Sequence, residues 1–243
     1  GERLSQVLEK RVGAANARTW PLMVSVFLSG AAGLAYQIVW LRKLSLHMGA
    51  TSYALSAVLA AFMGGMALGS RLLGPLADRP GARAARIYAL LQLGILASAP
   101  LAYVLPGLLD APLSLAYRAM GPGLAINLLR FAGALLALAL PTMLMGGTIP
   151  VLTRGLAPAR GVERGLSSVY SLNTAGAVAG TLAAGFLLVP LLGLPGTMGV
   201  AMALSLAAAG FAAIVVLPKV RRDAEERPGE AKKGLRRDPR PLL

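Results

Sequence analysis

Residues able to do chemistry are scarce in this chain, and they are scattered. Between residues 19 and 218 the only carboxylates are Asp78, Asp110 and Glu163, the only imidazole is His47, and the chain has no cysteine. General acid–base catalysis needs proton donors and acceptors held close together, and a nucleophile needs an adjacent base; no spacing here supplies either. Thiol-based metal, redox or disulfide chemistry is excluded by composition. A lone Ser or Thr within an apolar run more often bonds back to its own helix than reacts. His47, at the end of an apolar run, reads as a solvated surface histidine. No catalytic residue, metal ligand or cofactor site is therefore expected, and no enzyme. What remains is a polar set suited to contacts between helices: Tyr36, Gln37, Trp40 and Arg42 near the end of one apolar run, and Asn173 in another. An amide in hydrocarbon needs a partner on a neighbouring helix, which makes Gln37 the hardest of these to place on an open surface. Tyr36 and Trp40, followed by Arg42 and Lys43, read as an interfacial aromatic belt with snorkelling cations.

The elements that carry these residues follow from the placement of charge. The chain has 243 residues, 56% hydrophobic and 14% charged, against about 25% charged in soluble chains. Runs free of Lys, Arg, Asp and Glu cover 19–41, 44–70, 87–109, 131–153 and 165–218. A crossing needs roughly 20 apolar residues, so the first four runs give one helix each. The fifth is long enough for two, with Gly193-Leu194-Pro195-Gly196 as the break. The expectation is an all-α integral membrane protein with six transmembrane helices at about 20–41, 52–72, 87–105, 124–145, 166–188 and 197–217. Helix 3 is expected to end against Pro106-Gly107, with 112–120 a short helix on the outer interface. An amphipathic leader occupies 1–18, either a surface helix or a frayed polar segment, and a polar, flexible tail of mixed charge occupies 219–243.

The net charge of +14 is concentrated in the N-terminal tail, the 71–86 loop, the 154–164 loop and the C-terminal tail. These are alternate connections, so the positive-inside rule puts them, with both termini, in the cytoplasm. Their expected partners are anionic lipid head groups, not nucleic acid. The polar leader and the length of the first apolar run argue for a retained anchor instead of a cleaved signal peptide.

Small residues mark the packing faces. Gly65 and Gly69 are spaced for close approach of a second backbone, as are Gly176, Gly180 and Ala184, and the latter stripe is expected to be the most tightly packed surface. Asp78, Arg79 and Arg83 form a charged loop able to latch one helix end to another. Pro141 and Pro150 predict a bent, buried end of helix 4, serving packing or transport.

The spacing Gly74-x-Leu76-x-Asp78-Arg79-x-Gly81-x-Arg83 resembles the loop between the second and third helices of major facilitator superfamily transporters. More of the chain, at FLSGAAGLAYQIVWLRKLSL (27–46), LAAFMGGMALGSRLLGPLADR (59–79), LPTMLMGGTIPVLTR (140–154) and SLNTAGAVAGTLAAGFLLVPLLGLPGT (171–197), resembles the membrane domain of fused membrane-bound spermidine synthases. That resemblance implies a six-helix bundle like half of a major facilitator fold, in a bacterial cytoplasmic membrane. The family's Rossmann-type catalytic domain has no counterpart in these residues, since no strand leads into a Gly-rich nucleotide turn. Aminopropyl transfer is therefore not expected of this chain. The resemblance implies an acid in many relatives where Gln37 stands, so an amide here weakens the case for cation binding or proton coupling at that site. Two functions stay open: a non-catalytic module that anchors a synthase domain or packs as an accessory or scaffold subunit against other membrane proteins, and a half-size transporter that forms a homodimer to carry polyamines or other organic cations.

Overall fold

The computed structural model describes the backbone of residues 2–48, 52–77, 82–160 and 162–235, and side chains chiefly within 20–47, 55–76, 84–153 and 165–215. Apart from a turn at 121–123, the described backbone is helical, with no strand. The helices are α1 (Glu2–Met48), α2 (Ser52–Leu73) closed by a 3-10 turn (Gly74–Ala77), α3 (Ala82–Met120), α4 (Leu124–Arg160), α5 (Val162–Leu182) continued by a π-helical stretch (Ala183–Leu188), and α6 (Val189–Leu235). Five stretches are long and apolar enough to cross a bilayer: Trp20–His47, Leu55–Leu76, Ala84–Met120, Leu124–Thr153 and Gly165–Val215. The chain is thus built as a multi-pass membrane protein.

The fifth stretch is folded in two. Gly193 adopts φ 68° and ψ −177°, a conformation open to Gly but strained for any residue with a Cβ, and the helix stops there. On either side the chain runs in opposite directions along α1. Gly176 and Gly180 of α5 lie against Phe27 and Ala31, in parallel order. In α6, Phe211 meets the ring of Trp20 and the Ala208 carbonyl meets Ser25, in antiparallel order.

Several helices are longer than sequence reasoning predicts. Helix 3 does not end at Pro106-Gly107: α3 continues through Pro100, Pro106 and Pro112 to Met120, so the expected separate interfacial helix is its last three turns. Likewise α1 passes Leu41 to reach Met48, and α4 passes 145 to reach Arg160. A proline removes one amide donor, whereas stopping a helix frees several backbone groups at once. Continuing the helix therefore leaves fewer backbone groups unsatisfied than ending it would. The α1 backbone is helical across the expected leader boundary, and α6 continues to Leu235. The side-chain faces of the leader and tail, and the loop latch of Asp78, Arg79 and Arg83, lie outside the described residues.

Two helix pairs are sealed by glycine. In α1/α5, Gly30 sits under the Asn173 carbonyl, and a Cβ at Gly176 or Gly180 would fall on the carbonyl of Phe27 or Ala31. In α2/α4, Cβ atoms at Gly65, Gly69 and Gly146 would fall on Thr142, Met143 and Met66. Exchanging the triplets α1–α3 and α4–α6 exchanges these two parallel pairs, and it also exchanges the antiparallel pairs α1/α6 and α4/α3. The α1/α3 pair has no matching α4/α6 contact among the described residues.

The sealing predicts a sharp contrast between glycines. Alanine at an exposed helical Gly gains about 1 kcal/mol of helix propensity, and a Cβ at Gly210 meets nothing within 4 Å. Gly210→Ala should therefore hold or raise the melting temperature in detergent. Gly176→Ala should lower it, because overpacking costs about 1–3 kcal/mol. Equal melting temperatures would show that α1 and α5 are not in backbone contact.

Candidate functional site

The α1/α3 pair, the one without a counterpart, carries most of the polar chemistry between helices. Tyr88 on α3 donates its hydroxyl to the Ser25 carbonyl at 3.1 Å. One turn on, Gln92 donates its amide to Ser29 Oγ at 2.5 Å and to Tyr88 Oη at 3.0 Å. The third wall is α6, where Ser25 Oγ donates to the Ala208 carbonyl at 2.5 Å and the Tyr36 hydroxyl donates to Ser205 Oγ at 3.3 Å. Ser25, Tyr36, Tyr88, Gln92 and Ser205 are all at most 1% exposed. Residues 25, 29 and 36 recur at steps of four and seven, one face of a helix. The apolar residues around them, Val26, Val39, Ile95 and Ala201, exclude water and so make each bond hard to replace.

Tyr36 and Trp40 do not form an interfacial belt. They are buried at 0% and 1% exposure and stack on each other, centroids 5.4 Å apart and planes 12° apart. They fall inside the bundle, in one buried cluster with Met198 and Ala201 of α6. Trp40 Nε1 is buried with no hydrogen-bond partner among the described residues. Gln37 is half-buried and Arg42 exposed. The part of Asn173 engaged with a neighbouring helix is its carbonyl, at Gly30. Gly65, Gly69, Gly176, Gly180 and Ala184 are all buried.

At the far end of α1 lies a second polar cluster. His47 is not a solvated histidine: its Nδ1 lies 2.8 and 2.7 Å from the two carboxylate oxygens of Asp110 on α3. Its side chain is 18% exposed, and its Nε2 is buried without a partner among the described residues. An ionised carboxylate only accepts, so in this contact Nδ1 is the donor. Beside it is a cavity of about 20 Å³ lined by Leu44, His47, Pro106, Leu109, Leu113, Arg130, Gly133 and Ala134, room for about one water. Lys43 Nζ lies 5.0 Å above the Tyr103 ring and the Arg130 guanidinium 5.7 Å above the Tyr117 ring, geometry suited to cation–π attraction. The cluster can bind α1 to α3, but no hydroxyl or thiol lines its cavity to act as a nucleophile. Among the described residues no group of three His, Cys, Asp or Glu is placed to hold a metal.

Sequence reasoning missed this pair. Its partners lie 63 positions apart, and only the parallel course of α1 and α3 brings them together. The one available signal was that a lone His at the outer end of helix 1 and a lone Asp closing the third apolar run fall on the same expected side.

The buried network makes a specific stability prediction. Gln92→Leu should destabilise the protein, by about 1–3 kcal/mol where a polar partner is left unsatisfied. Adding Ser29→Ala should then cost little more, because its amide partner is already gone. Thermal unfolding of the two single variants and the double variant in detergent measures the coupling, expected near 0.6 kcal/mol, the average for membrane interhelical bonds. Strict additivity would mean that the amide and hydroxyl do not interact.

No family model, curated protein or solved structure matches this chain.

Proposed function

We propose that this chain is a six-crossing membrane module, arranged as one half of a major facilitator-like fold and resembling the membrane domain of spermidine synthase-like proteins. Its role is to anchor or scaffold, packed against other membrane proteins, without catalysis of its own. The alternation of helix direction supports six crossings: α1, α3 and α5 run one way, and α2, α4 and α6 the other. The exchange of helix pairs between triplets of opposite direction supports the half-facilitator arrangement, because such carriers nest inverted three-helix repeats within each half.

The observation that carries the scaffold role is how the interior polar groups are used. Ser25, Ser29, Tyr88, Gln92, Tyr36 and Ser205 bond to one another or to backbone carbonyls, which binds α1, α3 and α6 together and leaves them turned away from any ligand. Meanwhile small side chains face outward: Ala60, Gly64 and Ala67 on α2, and Ser167, Ser171, Thr174 and Ala175 on α5. Such surfaces let another membrane helix approach closely. The location is a bacterial cytoplasmic membrane with both termini inside, and the inner face attracts anionic lipid.

The second reading, a half-size carrier of polyamines or other organic cations working as a homodimer, draws on one feature. Gln37 is half-buried on a crossing helix without a side-chain partner among the described residues, and intramembrane polar groups often mark a transport path.

Two experiments test these readings. Because the chain has no cysteine, single cysteines report topology without background. Those at Ser52, Ser114 and Leu192 should react with an impermeant thiol reagent in intact cells, and those at Ala82 and Glu163 only after permeabilisation; the opposite pattern reverses the orientation. Purified chain in liposomes should show no saturable uptake of labelled spermidine. Saturable uptake abolished by Gln37→Ala would replace the scaffold with the carrier.

A further inference from the structure

Trp20 is half-exposed, and Tyr170 is exposed at nearly the same level, because Gly176 of α5 sits beside Phe27 of α1. At the other end the cations begin: Arg42, then Lys43 over Tyr103. Between Trp20 and Lys43 α1 rises roughly 35 Å at about 1.5 Å per residue, close to the hydrocarbon core plus its margins. Aromatic residues and cations therefore fix where the membrane lies. Shifting it further toward the Lys43 end would bury Lys43, His47, Asp110 and Arg130 in hydrocarbon, where ionisable groups are strongly disfavoured.

Two helices do not stop at this boundary. Whereas α1 ends at Met48 beside Asp110 and α2 begins at Ser52, α3 continues to Met120 and α4 returns from Leu124. The resulting hairpin stands roughly 15 Å beyond the His47–Asp110 contact, ten residues at about 1.5 Å each. A two-helix arm in water should show polar faces, yet Leu115, Met120, Leu124, Leu128 and Leu129 are all exposed, Leu115 at 69% and Leu124 at 74%. Between the arm and the start of α2 runs a groove of about 490 Å³ lined by Ser56, Ala57, Gly123, Leu124, Asn127, Leu128 and Phe131. Apolar surface of this extent outside the bilayer marks an interaction site. The charges on the arm are Arg118, exposed, and Arg130 over Tyr117, while its one acid, Asp110, is engaged by His47.

We propose that the α3–α4 hairpin is a docking arm for a protein on the Lys43 side of the membrane, whose contacting face combines apolar residues, seated in the groove, with carboxylates that meet Arg118. A lipid covering would need the arm to lie in hydrocarbon, which the charged root opposes. The inference rests on the proposed topology only for the side on which the arm emerges. A reversed cysteine-labelling pattern would change that side without changing whether docking occurs.

The test uses the full chain in its native membrane, with a photoreactive benzoylphenylalanine replacing Leu115, Leu124 or the exposed membrane residue Leu206. Illumination should give a discrete protein adduct from positions 115 and 124 and none from 206. The crosslinked partner peptide, read by mass spectrometry, should carry net negative charge. Arg118→Glu should lower the yield at least tenfold with unchanged membrane content, and Arg118→Lys should retain it. In parallel, tryptophan replacing Leu115 or Leu124 should escape quenching by brominated lipid that quenches one at 206. Absence of an adduct, a neutral or basic partner peptide, a yield indifferent to Arg118→Glu, or lipid quenching at 115 and 124 would each overturn the proposal.

Discussion

In hydrocarbon an unpaired backbone amide or carbonyl has nowhere to turn, and this constraint orders the rest of the structure. It keeps α1 helical through Pro21 and α3 helical through Pro100, although each ring removes a donor. It confines the break within α6 to Gly193, where the chain reverses and where the left-handed conformation is open. Once backbones are fixed as helices, little hydrophobic drive is left to bring them together. Association then depends on how closely they approach and on which polar groups they share.

Those two sources of cohesion are distributed unequally. Close approach is shared between the triplets, with α1/α5 and α2/α4 each sealed by three glycines. The polar bonds are not: Ser25, Ser29, Lys43 and His47 of α1 all meet α3, through Tyr88, Gln92, Tyr103 and Asp110. The near-symmetry accounts for a compact bundle, and the departure from it singles out α1 as the helix on which α3, α5 and α6 converge. A buried amide such as Gln92 adds direction to this packing, since its donors are satisfied in one register of α3 against α1 and orphaned in another.

How much of this the sequence disclosed depends on the range of the interaction. Features set by local spacing were legible: the apolar runs, the break at Gly193, and glycines at steps of four. Features set by what lies opposite were not. Tyr36 and Trp40 beside Arg42 look like an interface because their neighbours in sequence are charged; in space they face Ala201 and each other. Pro106-Gly107 looks like a stop because the proline is judged by the one donor it removes, not against the several groups that ending the helix would free. His47 and Asp110 each looked solitary, since nothing local in a sequence announces that helices two apart in the chain run parallel. Gln92, flanked by leucines on a run read only as a span, drew no attention at all, although an amide there needs a partner as much as Gln37 does.

The length of α3 and α4 gives the outer cluster its mechanical sense. A two-helix hairpin that outreaches its neighbours has a thin core of its own, with Ile126 buried and Leu109 and Leu113 half-buried, and any force on its tip acts with leverage on its root. At that root α3 is tied to α1 by the His47–Asp110 pair and by Lys43 over Tyr103, while Arg130 of α4 lies over Tyr117 of α3. Exposed ion pairs contribute little, about 0–1 kcal/mol, but His47 is mostly buried and its ring is packed near Gly107. Moving the hairpin would thus disturb α1 directly, and through Tyr36 and Ser25 it would disturb α6 as well. The physical path from the arm into the membrane therefore runs along α1, the helix whose polar face the buried network already holds in register.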